Sequence, residues 1–495
     1  MTVFGTSALS TQPPTRASHR PGPPPAPLVV VSNRLPFDIG RTGASLRRNV
    51  GGLVNALEPV FDRLGGAWVG WDGLSLPNAR AVTAALARPR TLSLTSGGLL
   101  CGVPLSERDV SRYYNGLCNR ALWPLLHDFP DKGTFAAEDW TSYTEVNRRF
   151  AWVAASRLRG GGRVWVHDYQ LTLVPRFLRE HGFSGRIDFF LHTPFPPAEI
   201  FRALPWRSEV VSGLLAADAV VFHTPRYRDN FVGAAQTLLP TVASPSPDGG
   251  VVELAHATRT TRIAAEPIGI DVASFEALAS SPETLSRARR IRAAYGERAI
   301  VFGAERLDYT KGVLERFHAI ERLLRAHPEL ARTFVLVQVV VPSRHVVEEY
   351  RRMKREIDRE VGRINGEFGA DGWQPLHYAY RSLDRGELVA HFLAASVALV
   401  TPLRDGMNLV AAEFAASRID GGGVLVLSEF AGIADLVKGA LLVNPNDIER
   451  LADAVYGALR MPQGEARERM SRLRATILAN PSSAWAQRCL AVGAA

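Results

Sequence analysis

Apolar residues along this chain follow two patterns that take turns. Short unbroken runs, rich in Val, Ile and Phe, occur at residues 28–32 (LVVVS), 67–71, 164–167, 187–191 and 219–223. Most are followed by stretches in which apolar positions recur every three or four residues, as over 171–179. The first pattern predicts buried strands and the second amphipathic helices, so each pair is a strand–helix unit. A second series opens at 299–304 (AIVFGA) and continues at 333–340, 397–401, 424–428 and 441–444. Strands alternating with helices argue for an α/β fold with parallel sheets covered by helices on both faces. Between the two series lie a polar, Pro-containing stretch, 244–250, and the segment PIGID at 267–271, near which a hinge is expected. The expected organisation is therefore a tail over 1–27, one domain over 28–268, a second over 269–475, and a C-terminal segment, 476–495, crossing back to the first. The strongest helical stripe, Val346, Tyr350, Met353, Ile357, Val361 and Ile364, is read as core packing with no chemistry.

A length of 495 residues suits two domains better than one core. A hydrophobic share of 46% and a charged share of 22% belong to a globular chain. The formal net charge is +9, but the basic residues are scattered, with no basic run interleaved with aromatics, so nucleic acid is not an expected partner. Anionic small molecules suit the charge better. Cys101, Cys118 and Cys489 are widely spaced and make neither a disulfide framework nor a zinc site. No apolar run is long enough to span a bilayer and the start lacks the apolar core of a secretory signal, so a cytoplasmic protein is expected. Residues 1–27 are rich in Pro, Ser and Thr and are expected to be disordered.

Candidate chemistry gathers where strands end. In ERLDYTKG (305–312), Arg306 closes a strand and Lys311 precedes a helix whose apolar residues are Val313, Phe317, Ile320 and Leu324. Two cations beside a helix N-terminus suit a diphosphate, although the stretch alone is equally a solvated basic loop. The second constellation is TPLRDGMNLVAAEF (401–414), again strand, loop and helix, with Asp405 in the loop and Glu413 two turns along. Glu413 is flanked by apolar residues, which argues against a simple exposed helix position. Backbone N–H groups of Met407 to Leu409 are candidates for a phosphate. In the first half, HDYQL puts His167 and Asp168 at a strand end, and LHTPFP does the same for His192. No HxxxH or clustered-carboxylate spacing accompanies them, so no metal is expected. Tyr113, Tyr114 and Trp123 are read as aromatics in a loop, suited to a sugar ring. The glycine pair 51–52 opens a helix after the first strand, but it is not a GxGxxG dinucleotide fingerprint.

Taken in order, LVVVSNR, the glycine pair, YYNG, LWPLLH, WVHDYQL, LHTPFPPAEIF, ERLDYTKG, INGEFG and TPLRDGMNLVAAEF resemble the retaining glycosyltransferases that include the trehalose-6-phosphate synthases. The resemblance covers nearly all of the folded chain. It implies the GT-B architecture, two Rossmann-like domains facing across a cleft, and no metal or other cofactor. The C-terminal domain would bind a nucleotide-glucose, expected to be UDP-glucose, and the N-terminal domain glucose 6-phosphate. Positions matching Arg306 and Lys311 would hold the donor diphosphate. Asp405 with Gly406, Met407, Asn408 and Leu409 would hold the donor sugar, Glu413 the ribose, and His192 and Gly52 would approach from the other domain. Arg34, Trp71, Tyr114, Trp123, Asp168 and Arg344 would form the acceptor seat. Gln170 and Ala412 depart from residues frequent in the family. Alternatives left open are another phosphorylated acceptor, such as glycerol 3-phosphate or a cyclitol phosphate, and a silent regulatory relative. Retention of Arg306, Lys311, Asp405 and Glu413 argues against the last. A homo-oligomer is possible.

Overall fold

The computed structural model describes residues 28–39, 46–48, 52–94, 97–158, 162–245, 250–343 and 348–492. The expected tail, 1–27, lies outside them, as do Gly51, Arg344 and Val346. The five runs of the first series supply five adjacent strands of a ten-stranded sheet. Its order is Thr241–Pro245, Val251–His256, Arg259–Ala265, Ala219–Phe222, Arg186–Phe190, Arg163–His167, Leu28–Arg34, Ala67–Trp71, Leu99–Gly102 and Thr91–Ser93. The strands from Arg259–Ala265 to Leu99–Gly102 run parallel. Those in the middle are buried along almost their whole length, as expected of a parallel sheet covered on both faces.

Both edges of that sheet add antiparallel strands to the expected parallel core. Thr91–Ser93 pairs antiparallel with its neighbour, and a meander of Thr241–Pro245, Val251–His256 and Arg259–Ala265 forms the other edge. The stretch read as a polar link between domains is thus partly strand. These edge strands are only partly buried, so they carry no continuous apolar run to mark them. A second correction concerns Tyr113, Tyr114 and Trp123, read as aromatics in a loop and lying in residues 107–126. This stretch forms one helical segment, with i→i+5 bonding over Val110–Leu122 between α-helical ends at Glu107–Asp109 and Trp123–Leu126. Tyr113, Leu117 and Ala121, four apart, are fully buried; the polar residues between them hid the period.

The second series supplies five strands of a six-stranded, all-parallel sheet, to which Leu376–Tyr380 adds an edge the sequence reading missed. The order is Leu376–Tyr380, Phe334–Val341, Ala299–Arg306, Val397–Val400, Val424–Ser428 and Leu441–Val443. Helix Val313–Ala326 buries the four expected residues against it. Helix Glu348–Phe368 buries Tyr350, Ile357 and Ile364, with Met353 and Val361 packed beside them. The chain passes between the sheets twice, and the two passages lie side by side. Ile270 bridges Pro481, Arg488 pairs with Glu266 at 2.6 Å, and Gly269 packs so closely on Asn480 that a Cβ would strike its carbonyl. Beyond the second passage, helix Ser482–Ala491 lays Trp485 on Trp165 and Phe190 of the first sheet, ring centroids 5.3 and 5.1 Å apart.

Candidate active site

The carboxyl ends of both parallel sheets face one cleft, the usual ligand position in such folds. On the C-terminal side, strand Ala299–Arg306 gives way to a single turn, Tyr309–Lys311, and then to helix Val313–Ala326. Gly312 makes the junction at φ +65°, and a Cβ there would strike the Thr401 carbonyl, so both conformation and space call for glycine. The turn points Lys311 at Asp405, Nζ to Oδ2 2.6 Å, and Asn408 Nδ2 donates to the same oxygen at 3.0 Å. Burial alone would raise the Asp405 carboxyl, but Lys311 and Asn408 outweigh it and hold it below the usual range.

Behind this pair is a charge that the sequence reading missed. Arg316 is fully buried and bonds Glu305 through both terminal nitrogens, Gln338 Oε1 at 2.8 Å, Thr401 Oγ1 at 3.1 Å and the Lys311 carbonyl at 2.9 Å. Its signal was an arginine beside Phe317, on the face of a helix otherwise read as apolar. Asn408, at φ +71°, caps helix Leu409–Ser417 through Ala411 N–H, setting that helix's N-terminus beside Lys311 and Asp405. Glu413, on the same helix, is buried; burial pushes its carboxyl up to about 7, and Arg385 offsets this only in part. The Arg385 Nε and Nη2 atoms are themselves buried without a protein partner.

On the N-terminal side, Asp168 follows strand Arg163–His167 with φ +77°, an uncommon conformation for a non-glycine residue. Its N–H donates to the Phe190 carbonyl at 2.8 Å and its Oδ1 accepts from His192 N–H at 3.2 Å. Burial pushes its carboxyl up to about 6 against the pull of the Tyr169 and His192 N–H groups and of Arg306. His167 Nδ1 and His192 Nε2 lie 3.1 Å apart, and His223 Nε2 lies 3.2 Å from the His192 carbonyl, to which it donates. Burial lowers all three imidazoles, His167 to about 3, His223 to about 4 and His192 well below its ordinary value, so the cluster is neutral. Among the described residues no group of three or more His, Cys, Asp or Glu is placed to hold a metal ion.

The two sides touch at several points. The Arg306 guanidinium lies 5.9 Å from the Trp123 ring, and Trp123 Nε1 donates to Asp308 Oδ1 at 3.3 Å. Gly406 packs against the His192 carbonyl, with no room for a Cβ. Tyr227 OH donates to the Asp405 carbonyl at 3.1 Å, and Arg404 pairs with Asp128 at 2.6 Å. Asp308, His223, Tyr227 and Arg404 were not among the expected residues, although Asp308 and Arg404 sit inside motifs singled out. A second cluster has Arg34 4.8 Å over the Trp71 ring and Tyr114 6.3 Å from it. The Tyr113 hydroxyl, which donates to Asn33 Oδ1 at 2.7 Å, ties Arg34's strand to the helical segment carrying Tyr114 and Trp123. Arg306, Lys311, Asp405, Gly406, Asn408, His192, Asp168 and Trp123 are thus joined in one network. Gly52 opens helix Gly52–Leu64, and Met407 and Leu409 flank Asn408.

The family model for glycosyltransferase family 20 matches residues 26–492. The chain belongs to glycosyltransferase family 20. Among curated members it is 45% identical over 484 residues to trehalose-6-phosphate synthase of Mycolicibacterium gilvum, covering 96% of this chain and 95% of that one. It is 44% identical over 469 residues to trehalose-6-phosphate synthase of Mycobacterium tuberculosis, covering 93% of each. Among solved structures, a UDP-forming α,α-trehalose-phosphate synthase from Burkholderia xenovorans in complex with glucose-6-phosphate superposes with a TM-score of 0.87 at 33% identity, covering 94% of this chain and 100% of the other. A family structure from E. coli bound with UDP-2-fluoro glucose gives a TM-score of 0.85 at 33% identity, covering 94% and 98%. The two facing sheets are accordingly the GT-B fold of this glycosyltransferase family.

Proposed function

We propose that the protein transfers glucose, with retention of configuration, from UDP-glucose to the anomeric hydroxyl of glucose 6-phosphate, giving α,α-trehalose 6-phosphate and UDP. The observation that carries this reading is the meeting of Arg306, Lys311 and Asp405 with Trp123, Asp168 and His192 across the cleft of a family 20 chain. The relatives named trehalose-6-phosphate synthase, and the glucose-6-phosphate and UDP-sugar complexes of the solved ones, support it.

In this reading Arg306 and Lys311 hold the donor diphosphate, helped by the N-terminus of helix Leu409–Ser417. Asp405 and the backbone from Gly406 to Leu409 take the glucose hydroxyls, and Glu413 takes the ribose. His192, and Gly52 at the start of its helix, approach the donor from the N-terminal side. Arg34 and Arg344 clamp the acceptor phosphate, and Trp71, Tyr114, Trp123 and Asp168 seat its sugar. Guanidinium groups suit this because they bind phosphate in a fixed, two-pronged geometry. The donor C1–O bond breaks as the acceptor oxygen approaches C1 from the same face, and the leaving diphosphate takes the acceptor's proton. Arg306 and Lys311 stabilise the negative charge that grows on that diphosphate. Closure of the walls excludes water that would hydrolyse the donor. We place the reaction in the cytoplasm, a compartment that keeps buried thiols such as Cys101, Cys118 and Cys489 reduced.

Mass spectrometry of products from UDP-glucose with glucose 6-phosphate or with glycerol 3-phosphate tests the proposal. A non-reducing disaccharide phosphate, absent with Arg306→Ala, is the expected result. Turnover only with glycerol 3-phosphate would overturn the acceptor, and no nucleotide release with any acceptor would overturn the activity.

A further inference from the structure

Between Arg306 and Lys311 stands a carboxylate without a role in that reaction. Asp308 is 1% exposed, and a buried carboxylate must be met by donors. Its Oδ1 accepts from Thr310 N–H at 3.1 Å and, from the opposite wall, from the Trp123 indole N–H at 3.3 Å. Its Oδ2 accepts from the Tyr350 hydroxyl at 3.2 Å, on helix Glu348–Phe368. The Asp308 carbonyl accepts from Lys311 N–H at 3.0 Å, so a shift of Asp308 carries to the lysine that pairs with Asp405.

The other end of the indole bond is held as firmly. The Trp123 ring packs on His127 at 4.0 Å and on Tyr169 at 5.7 Å, with the Arg306 guanidinium 5.9 Å from its centre. Trp123 and Asp308 belong to different walls, so their bond exists only while the walls are together. Separation leaves a buried carboxylate short of a donor, and anything that settles Trp123 favours the joined arrangement.

We propose that Asp308 is a positioning residue that couples the two substrates: a sugar phosphate seated against Trp123 fixes Asp308, and Asp308 sets the Arg306–Lys311 loop for the donor diphosphate. The coupling is reciprocal by linkage. It rests on the reading of Trp123 as part of the acceptor seat and of Lys311 as part of the diphosphate seat.

Calorimetric titration of the full-length protein with UDP, with and without saturating glucose 6-phosphate, reads the coupling. The wild type is expected to bind UDP about fivefold or more tightly with glucose 6-phosphate present, the lower range of couplings between sites. Asp308→Asn keeps the volume but removes the charge, and is expected to bind each ligand alone while that ratio falls to about one. Trp123→Phe keeps an aromatic ring without the N–H and is expected to lose the ratio likewise, which decides the matter should Asp308→Asn fail to fold by thermal melting. An unchanged ratio in either folded variant, including one in which both affinities fall equally, overturns the coupling. A wild type that binds both ligands singly without coupling overturns it alone. A wild type that binds neither overturns the functional reading with it.

Discussion

On the C-terminal wall, Lys311 and Asp405 lie 2.6 Å apart and fully buried Arg316 is ringed by Glu305, Gln338 and Thr401. On the N-terminal wall, His167, His192 and His223 pack together with their imidazoles neutral, and burial lifts Asp168 to about 6. One wall keeps its charges by pairing them; on the other, burial keeps the imidazoles uncharged and leaves their hydrogen-bonding atoms beside Asp168. A diphosphate brings charge that can exchange with an existing pair, whereas a sugar brings hydroxyls that need oriented donors and acceptors. The contrast therefore matches the proposed split of substrates between the walls.

The sharpest way to break the contrast is to strand a charge on the paired wall. Arg316→Met leaves Glu305 buried beside an apolar side chain and frees the Lys311 carbonyl. Removing one partner of a buried pair costs about 3–5 kcal/mol, read as a lowered midpoint in equilibrium denaturation. A loss within surface-mutation range would mean that Gln338, whose Nε2 donates to Glu305 Oε1 at 2.6 Å, meets that carboxylate alone. Next in size is Arg306→Ala, which removes the guanidinium that lies 5.9 Å from the Trp123 ring. Loss of one preorganised donor to a developing negative charge lowers kcat by about 10²–10³. Steady-state UDP release checks it, and a change in KM alone would assign Arg306 to binding only.

The contrast also separates what the sequence disclosed from what it hid. Unbroken apolar runs marked the central strands of both sheets, because parallel strands are buried on both faces. The partly buried meander at Thr241–Ala265 had no such run, and the helical segment 107–126 was masked by polar residues between Tyr113, Leu117 and Ala121. On the paired wall, cations and carboxylates at strand ends announced themselves by type and place. On the neutral wall, His167 and His192 were visible as residues. Their neutrality was not, because it comes from burial by distant segments, including Trp485 from the chain's last helix. Asp308 and Arg316 were legible as letters but not as partners, since Trp123 and Gln338 reach them from 185 and 22 residues away.

Glu413 breaks the contrast from within, as an acid on the paired wall that burial lifts from 4.5 to about 7. Its folded pKa is raised, so protonation favours the folded state. That contribution is complete below about pH 4.5 and is lost as pH rises through about 7. Glu413→Gln removes the cost of ionisation, so at pH 8 the variant should be more stable than wild type by up to about 3 kcal/mol, a gap that closes below pH 5. Donor binding should move the other way. Ionised Glu413 is the stronger acceptor for ribose hydroxyls, so UDP affinity should rise more steeply between pH 6 and 8 in the wild type than in the variant, where the ligand's own terminal phosphate still titrates. Parallel pH profiles would remove Glu413 from the ribose site.

The smallest effect belongs to the rim, where the walls' distinction softens. Arg34 is a charge on the neutral side, but its side chain is 38% exposed, paired with Asp38 at 2.9 Å and spread 4.8 Å above the Trp71 ring. Trp71 is anchored in turn by its indole N–H to the Leu74 carbonyl at 2.8 Å. Trp71→Phe keeps an aromatic face but loses that anchor and the larger ring, weakening the stacking by about 0.5–1 kcal/mol. If Arg34 clamps the acceptor phosphate, the loss appears as a KM for glucose 6-phosphate raised about two- to fivefold with kcat unchanged, the signature of lost uniform binding. A fall in kcat would instead tie Trp71 to closure of the cleft, and the neutral wall would then carry part of the work assigned to Arg306.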